Sequence, residues 1–299
     1  MIAIGLDAGG SKTTAVIGDG TSEMKRIAGT MGAMRPGLGV AVAAAIADMV
    51  RGPLVALGVR QADALVVGAA GAGRTEEQVE LRDALWGERI AKRVRVTSDA
   101  EIALEALGRP IGIILISGTG SMVLGRNAAG VVIRRGGYGW QMSDEGSGYA
   151  VGRAALRAVG QAYDGRGPKT ALLDLIVKKI PGSGIEAVIR WSTIARPFDI
   201  AALVPLVAQA AREGDKVAMA ILDEAGADLA ALVRSLLPSF DANETIAVGY
   251  LGGLLTEDGP LADRVTESLR NEPRLEIIPG TVDPASGALA MSRRLAEQE

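Results

Sequence analysis

The sequence predicts an α/β protein made of two related lobes with a cleft between them. Segments of β-branched strand alternate with segments of helical periodicity. The pattern of apolar strand, glycine-rich turn and apolar strand occurs twice, at 1–18 and 111–126, about 110 residues apart. A repeat of that length marks a duplicated lobe and not a short-period solenoid. With 299 residues, 48% apolar and 22% charged, the chain is long enough for two cores.

The first lobe is expected over 1–109. Residues 1–7 (MIAIGLD) and 13–18 (TTAVIG) read as strands joined by the turn Ala8-Gly9-Gly10-Ser11-Lys12, with a third strand near 23–28. A helix over 38–51, a buried strand at 64–70 (ALVVGAA), a helix over 76–87 and a strand at 94–98 follow. Ser98-Asp99 opens a helix over 99–107.

The second lobe is expected over 110–283. It begins with a strand at 111–117 (IGIILIS), the turn Gly118-Thr119-Gly120-Ser121, and strands at 122–126 and 131–135. Residues 143–238 read as a helical insertion, broken by turn signals at 164–168, 181–184 and 196–197. A strand at 245–249, the turn Leu251-Gly252-Gly253, a helix near 260–270 and a strand at 274–278 complete it. The last helix, about 284–299, is expected to pack back on the first lobe. No low-complexity tract separates independent domains.

Zero Cys and zero His exclude thiol nucleophiles, disulfides, imidazole bases and nearly all zinc sites. Acid and base work falls to carboxylates, Lys or Tyr, and any metal would be a hard cation such as Mg²⁺ held by oxygen. Net charge is −3 and the basic residues are scattered, so nucleic acid is not an expected partner. No apolar run is seen to reach the roughly 18 residues of a membrane span, and the chain opens on a strand and not a leader, so the expectation is a cytoplasmic protein without a membrane partner.

Asp7 ends the first strand just before Gly9 and Gly10. Glycines there let backbone amides approach phosphate oxygens, and the carboxylate can hold Mg²⁺ directly or through water. The same residues also suit a hairpin with no ligand. The segment narrowly misses the spacing of a P-loop, and Thr13-Thr14-Ala15-Val16-Ile17 is a strand where a P-loop needs a helix. No dinucleotide fingerprint follows any strand.

The second turn, Ser117-Gly118-Thr119-Gly120-Ser121, offers hydroxyls and amides at the corresponding place of the repeated unit, so two loops can grip the phosphates of a nucleotide. Asp99, at a strand end, suits a general base acting on a hydroxyl, or a helix N-cap. Residues 136–149 (GGYGWQMSDEGSGY) gather two carboxylates and three aromatics in a chain with only 3% aromatics. A carbohydrate site fits that composition, and so does the capping of the next helix by Asp144 and Glu145.

These segments, taken in order as GLDAGGSKT, TSDAEIALEAL, ISGTGSMVLG, GGYGWQMSDEGSGYAVG, AYDGRGPKT, IEAVIRWS and VGYLGGLL, resemble the N-acetylglucosamine and glucosamine kinases of the BadF/BadG/BcrA/BcrD ATPase family, within the superfamily of sugar kinases, actin and heat-shock chaperones. The resemblance covers nearly the whole chain. It implies a two-lobed actin-like ATPase fold of duplicated ribonuclease-H-like lobes and an ATP-dependent kinase acting on a hydroxyl, O6, of an amino sugar. It also admits a homodimer.

By that resemblance, Asp7 holds the metal, and Gly9, Gly10, Ser11, Lys12 and Thr13 form the first phosphate loop. Gly118, Thr119 and Gly120 form the second, and Gly249, Gly252 and Gly253 the adenosine loop. Asp99 matches the catalytic base, and Tyr138, Asp144 and Glu145 match substrate positions. The cysteine-bearing activator ATPases and the zinc-bearing repressor-type sugar kinases are set aside by composition.

Met34 stands where the family carries an Asn that contacts the sugar, and Arg35 follows it. Arg35 is therefore expected to meet an acidic substituent, as on an N-acetylmuramic acid. A nucleotide-driven switch acting on a protein partner, or a sugar sensor without catalysis, is the competing class. The carboxylate and aromatic segment argues against a pure switch.

Overall fold

The computed structural model describes residues 1–9, 12–32 and 34–298. It divides into two units, Met1–Arg109 with Val282–Glu299, and Pro110–Thr281. In the first unit β1 (Ala3–Ala8), β2 (Thr13–Gly18) and β3 (Glu23–Gly29) form an antiparallel meander. On the other side of β1, β4 (Ala62–Ala69) and β5 (Ala91–Ser98) add in parallel, giving the order β3-β2-β1-β4-β5. Parallel strands need crossover connections. Here α1 (Gly39–Ala56) lies in the chain between β3 and β4, and α2 (Thr75–Glu88) between β4 and β5.

The two-residue period of the strands assigns each sheet face its cover. Ile4, Leu6, Leu65 and Val67 pack with Ile46, Val50 and Leu54 of α1 and with Leu81 and Leu85 of α2. Ala3 and Val16 meet Ala285 and Leu289 of the last helix, α11 (Pro284–Glu297), and Val66 meets Ile102 of α3 (Asp99–Glu105) and Ala288.

The helix expected to stop at 51 continues through Pro53 to Ala56. Val42, Ile46, Val50 and Leu54 recur every four residues, and Leu54 is fully buried, which offsets the hydrogen bond that Pro53 cannot make. Among the described residues one helix, α1, is long and apolar enough to cross a membrane, contrary to the reading from the sequence. Its apolar stripe is committed to the core.

The second unit repeats the plan. β6 (Gly112–Ser117), β7 (Ser121–Arg126) and β8 (Val132–Gly136) are antiparallel. β9 (Ile246–Leu251) and β10 (Leu275–Thr281) add in parallel beyond β6, in the order β10-β9-β6-β7-β8. Two mixed five-stranded sheets with the same order of connections are the duplicated actin-like architecture.

Between β8 and β9 run α4 (Gly148–Tyr163), α5 (Leu172–Lys179), α6 (Gly184–Ile194), α7 (Pro197–Ala201), α8 (Val204–Arg212) and α9 (Lys216–Leu236). α10 (Ala262–Leu269) lies between β9 and β10. Asp215 caps α9, its carboxylate accepting from the amides of Val217 and Ala218. The helical stretch starts at Gly148, not at 143, which leaves 137–147 as a loop against the end of the sheet.

Candidate active site

In the first unit the C-terminal ends of three parallel strands lie side by side. Ala8 of β1 pairs with Ala69 of β4, and Ala69 pairs with Ser98 of β5. Such strand ends are where open α/β sheets bind ligands. Asp7 is the next-to-last residue of β1 and Asp99 the residue just beyond β5, so two carboxylates flank the end of β4 about 10 Å apart in backbone terms.

The alternative of Asp99 as an N-cap does not apply. Ser98 is the cap, its hydroxyl accepting from the Glu101 amide at 3.2 Å, and Asp99 is the first residue of α3, with Oδ1 accepting from the Ala100 amide at 2.9 Å.

Burial first, then the negative charges of Asp99 and Asp283, push the Asp7 carboxyl up to about 6, with Lys12 opposing. Asp283 precedes α11 and accepts from Arg26 Nη2 at 2.6 Å and from Ser286 Oγ. Burial acts to raise it, but those hydrogen bonds outweigh burial and hold it below the usual carboxylate range.

Thr13, first residue of β2, is fully buried, and its Oγ1 has no hydrogen-bond partner among the described residues. Buried hydroxyls are ordinarily paired. An orphaned donor beside a carboxylate that resists ionisation is a cradle suited to a phosphate oxygen and a divalent cation together. Gly9 and Lys12 join β1 to β2, and Gly10 and Ser11 lie outside the described residues.

In the second unit the Gly118-Thr119-Gly120 turn joins β6 to β7, closed by a hydrogen bond from the Gly118 amide to Gly120 O at 2.9 Å. The carboxylate and aromatic segment is stitched onto it. Asp144 Oδ1 accepts from the Ser121 amide at 3.2 Å, Ser121 Oγ donates to Glu145 O at 2.6 Å, and Ser117 Oγ donates to Gly146 O at 3.1 Å. Gly118 O accepts from the Gly148 amide at 2.8 Å, and Thr119 O from the Tyr149 amide at 3.1 Å.

Asp144 is 9% exposed and takes a left-handed backbone, φ 70°, that non-glycine residues seldom adopt. A methyl group on Gly120 would come within 2.9 Å of its carboxylate. Burial, and then Glu145, raise its carboxyl against the Ser121 hydrogen bond and Arg134. Neither Asp144 nor Glu145 caps α4, because the Ser147 hydroxyl takes that role with the Ala150 amide.

Tyr138, Trp140 and Glu145 are exposed, whereas Asp144 and Tyr149 are buried. Arg134 sits 5.5 Å from the Tyr138 ring centroid, and Trp140 lies 5.3 Å from the Tyr149 ring.

Next to the second turn lies a cavity of about 460 Å³ bounded by Gly118, Thr119, Gly253, Ala201, Ala208 and Arg212. Its volume falls within the usual range for a small-molecule site. Gly252 carries the chain past the end of β6 with φ 104°, and a methyl there would fall 2.1 Å from Ser117 O. Gly249 sits buried within β9 and is not among the lining residues. The cavity wall from α7 and α8 was missed from sequence. Its only trace is the spacing Val204, Ala208, Arg212, which repeats every four residues on one face of α8.

The model of the BadF/BadG/BcrA/BcrD ATPase family matches residues 4–292 of this chain. An N-acetylmuramic acid/N-acetylglucosamine kinase of Clostridium acetobutylicum is 34% identical over 240 residues, 78% of this chain and 78% of its own. An N-acetyl-D-glucosamine kinase of Dictyostelium discoideum is 32% identical over 239 residues, 76% of this chain and 74% of its own. The solved structure of a Chromobacterium violaceum protein, provisionally named an N-acetylglucosamine kinase, superposes with a TM-score of 0.77 at 26% identity, covering 97% of this chain and 98% of that one. With a family match across nearly its full length and relatives above 30% identity over three quarters of it, the chain belongs to the BadF/BadG/BcrA/BcrD ATPase family.

Proposed function

We propose that the protein is an ATP-dependent sugar kinase that transfers the γ-phosphoryl group to a hydroxyl, O6, of an amino sugar such as glucosamine or N-acetylglucosamine. The observation that carries this reading is the edge of the first sheet, where Asp7, crowded by two other carboxylates, the unpartnered Thr13 hydroxyl and Asp99 stand at adjoining strand ends. The names of the curated relatives favour an amino sugar over other acceptors.

On this reading the cavity beside Gly118, Thr119 and Gly253 takes the adenosine, and the turns at 9–13 and 118–120 offer amides and hydroxyls to the phosphates. Asp7 holds Mg²⁺, directly or through water, and the cation supplies positive charge to the phosphate oxygens. Asp99 hydrogen-bonds the sugar hydroxyl and accepts its proton as the oxygen bonds to phosphorus and ADP leaves. Tyr138, Asp144 and Glu145 orient the sugar. Because Asp144 spends one oxygen on the Ser121 amide, the sugar segment and the second phosphate turn move as one piece.

A coupled ADP-release assay with Mg-ATP across glucosamine, N-acetylglucosamine and glucose, run beside Asp99→Ala, tests the proposal. Strong sugar-dependent turnover that the variant loses supports it. Slow ATP hydrolysis indifferent to sugar would sink it.

A further inference from the structure

Resting on that reading, we infer that the 34–39 loop makes the enzyme select amino sugars carrying an acidic substituent, with Arg35 as the specificity-determining residue and Glu80 as the residue that positions it. The loop lies at the same sheet edge as the two strand-end carboxylates. The Met34 amide donates to Ala70 O at 2.8 Å, and the Ala70 amide donates to Ala8 O at 2.9 Å, which ties the loop through the end of β4 to the residue after Asp7. The Met34 side chain is 3% exposed, an apolar anchor holding the loop to the core.

On the far side of Arg35 the loop is clamped. Glu80, on α2, accepts from the Gly39 amide at 2.8 Å with one carboxylate oxygen and from the Gly37 amide at 3.2 Å with the other. Between these anchors the Leu38 amide closes a turn onto Arg35 O at 3.0 Å. Glu80 thereby satisfies amides at the start of α1, which has no side-chain cap from its own N-cap residue Leu38.

Arg35 itself is exposed and pairs with no described residue. Arg74, on the turn that follows Ala70-Gly71-Ala72, adds a second cation, exposed and only 3.8 Å from Glu77. A backbone pinned on both sides spares ligand binding the cost of ordering the loop and leaves only the rotamers of the guanidinium side chain to be fixed. Its fork matches a carboxylate in two parallel hydrogen bonds. A neutral sugar leaves it solvated, and an ether-linked carboxylate on the sugar ring, as in N-acetylmuramic acid, engages it.

The test measures kcat and KM for N-acetylmuramic acid and N-acetylglucosamine with Mg-ATP in the parent, Arg35→Ala, Arg35→Lys, Glu80→Gln and the double variant Arg35→Ala/Glu80→Gln. The ratio of kcat/KM for the acidic over the neutral sugar should fall about 10- to 100-fold in Arg35→Ala, mainly through KM, and by less in Arg35→Lys. Glu80→Gln should lower the same ratio about threefold or more, and lower it no further once Arg35 is gone. A merely structural Glu80 would depress both sugars alike.

An unchanged ratio in Arg35→Ala, or a raised KM for ATP that is the same with either sugar, overturns the inference. So does a parent that phosphorylates N-acetylglucosamine and ignores N-acetylmuramic acid, which leaves the kinase reading standing. Absence of turnover with every sugar overturns the kinase reading, and the inference with it.

Discussion

Asp144 Oδ1 accepts from the Ser121 amide at 3.2 Å, so a carboxylate of the 137–147 loop is a structural member of the turn between β6 and β7. Asp144→Asn keeps an acceptor for that amide and removes a charge that burial already disfavours. It should therefore melt at or above the parent temperature. Asp144→Ala leaves the amide unpaired and should lose about 1–3 kcal/mol. Both should raise KM for the sugar. Thermal denaturation with sugar titrations checks this, and equal stability of the two variants would show that the hydrogen bond carries no weight.

Asp99 is partly buried just beyond β5, and Ser98 caps α3 in its place. Replacing it should therefore touch chemistry more than fold. Asp99→Asn should lower kcat about 100- to 10,000-fold with little change in melting temperature or in ATP affinity. Single-turnover kinetics beside nucleotide titration separates these quantities, and a variant that loses ATP binding would move Asp99 out of the base role.

The Asp7 carboxyl is raised from 3.8 to about 6, so the folded protein holds this proton more tightly than the unfolded chain does. Stability from this group is fully present below the unfolded value and falls as pH rises from about 4 to about 6, then stays low. The full difference is roughly 3 kcal/mol. Asp7→Asn should accordingly melt above the parent at pH 7.5, with the gain shrinking through that window and absent below pH 4. It should also lose the stabilisation that Mg-ATP gives the parent. Melting curves against pH with and without Mg-ATP read both effects, and a gain that persists at pH 3.5 would assign the strain elsewhere.

What sequence conveyed well was local. Asp7 with Gly9, and Gly118 to Gly120, lie in strand-turn-strand patterns whose meaning is complete within about 20 residues, and repetition pointed to the duplicated fold. Asp99 was visible as a strand end, but whether it or Ser98 capped α3 was not, since adjacent capping residues compete and only side-chain direction decides. The same ambiguity hid Ser147 behind Asp144 and Glu145.

Contacts between distant segments were out of reach. The cavity draws Thr119, Ala208 and Gly253 together from three parts of the chain. Glu80 reads as one more charge on the surface of α2 until its carboxylate is seen spanning the Gly37 and Gly39 amides. Pro53 misled in the opposite sense, because a breaker signal is overridden when the next turn buries Leu54 completely.

Gly252 and Gly253 are adjacent and should respond in opposite ways. At Gly252 the positive φ of 104° and the Ser117 carbonyl 2.1 Å from any added methyl oppose a side chain twice over, and Leu254 depends on the same carbonyl for its amide at 3.3 Å. Gly252→Ala must shift the turn against the end of β6, at a cost of about 1–3 kcal/mol from the backbone conformation alone, and the turn from β6 to β7 shares that strand end. Melting temperature and ATP affinity should fall together. Gly253→Ala meets nothing within 4 Å and has no positive φ, so its stability should match the parent. Gly253 lines the cavity that the proposed function assigns to adenosine, so a change confined to KM for ATP is the expected result for a methyl placed there. If instead Gly252→Ala melts with the parent and binds ATP as well, the turn is free to move, and the cavity beside it does not depend on the close approach to Ser117.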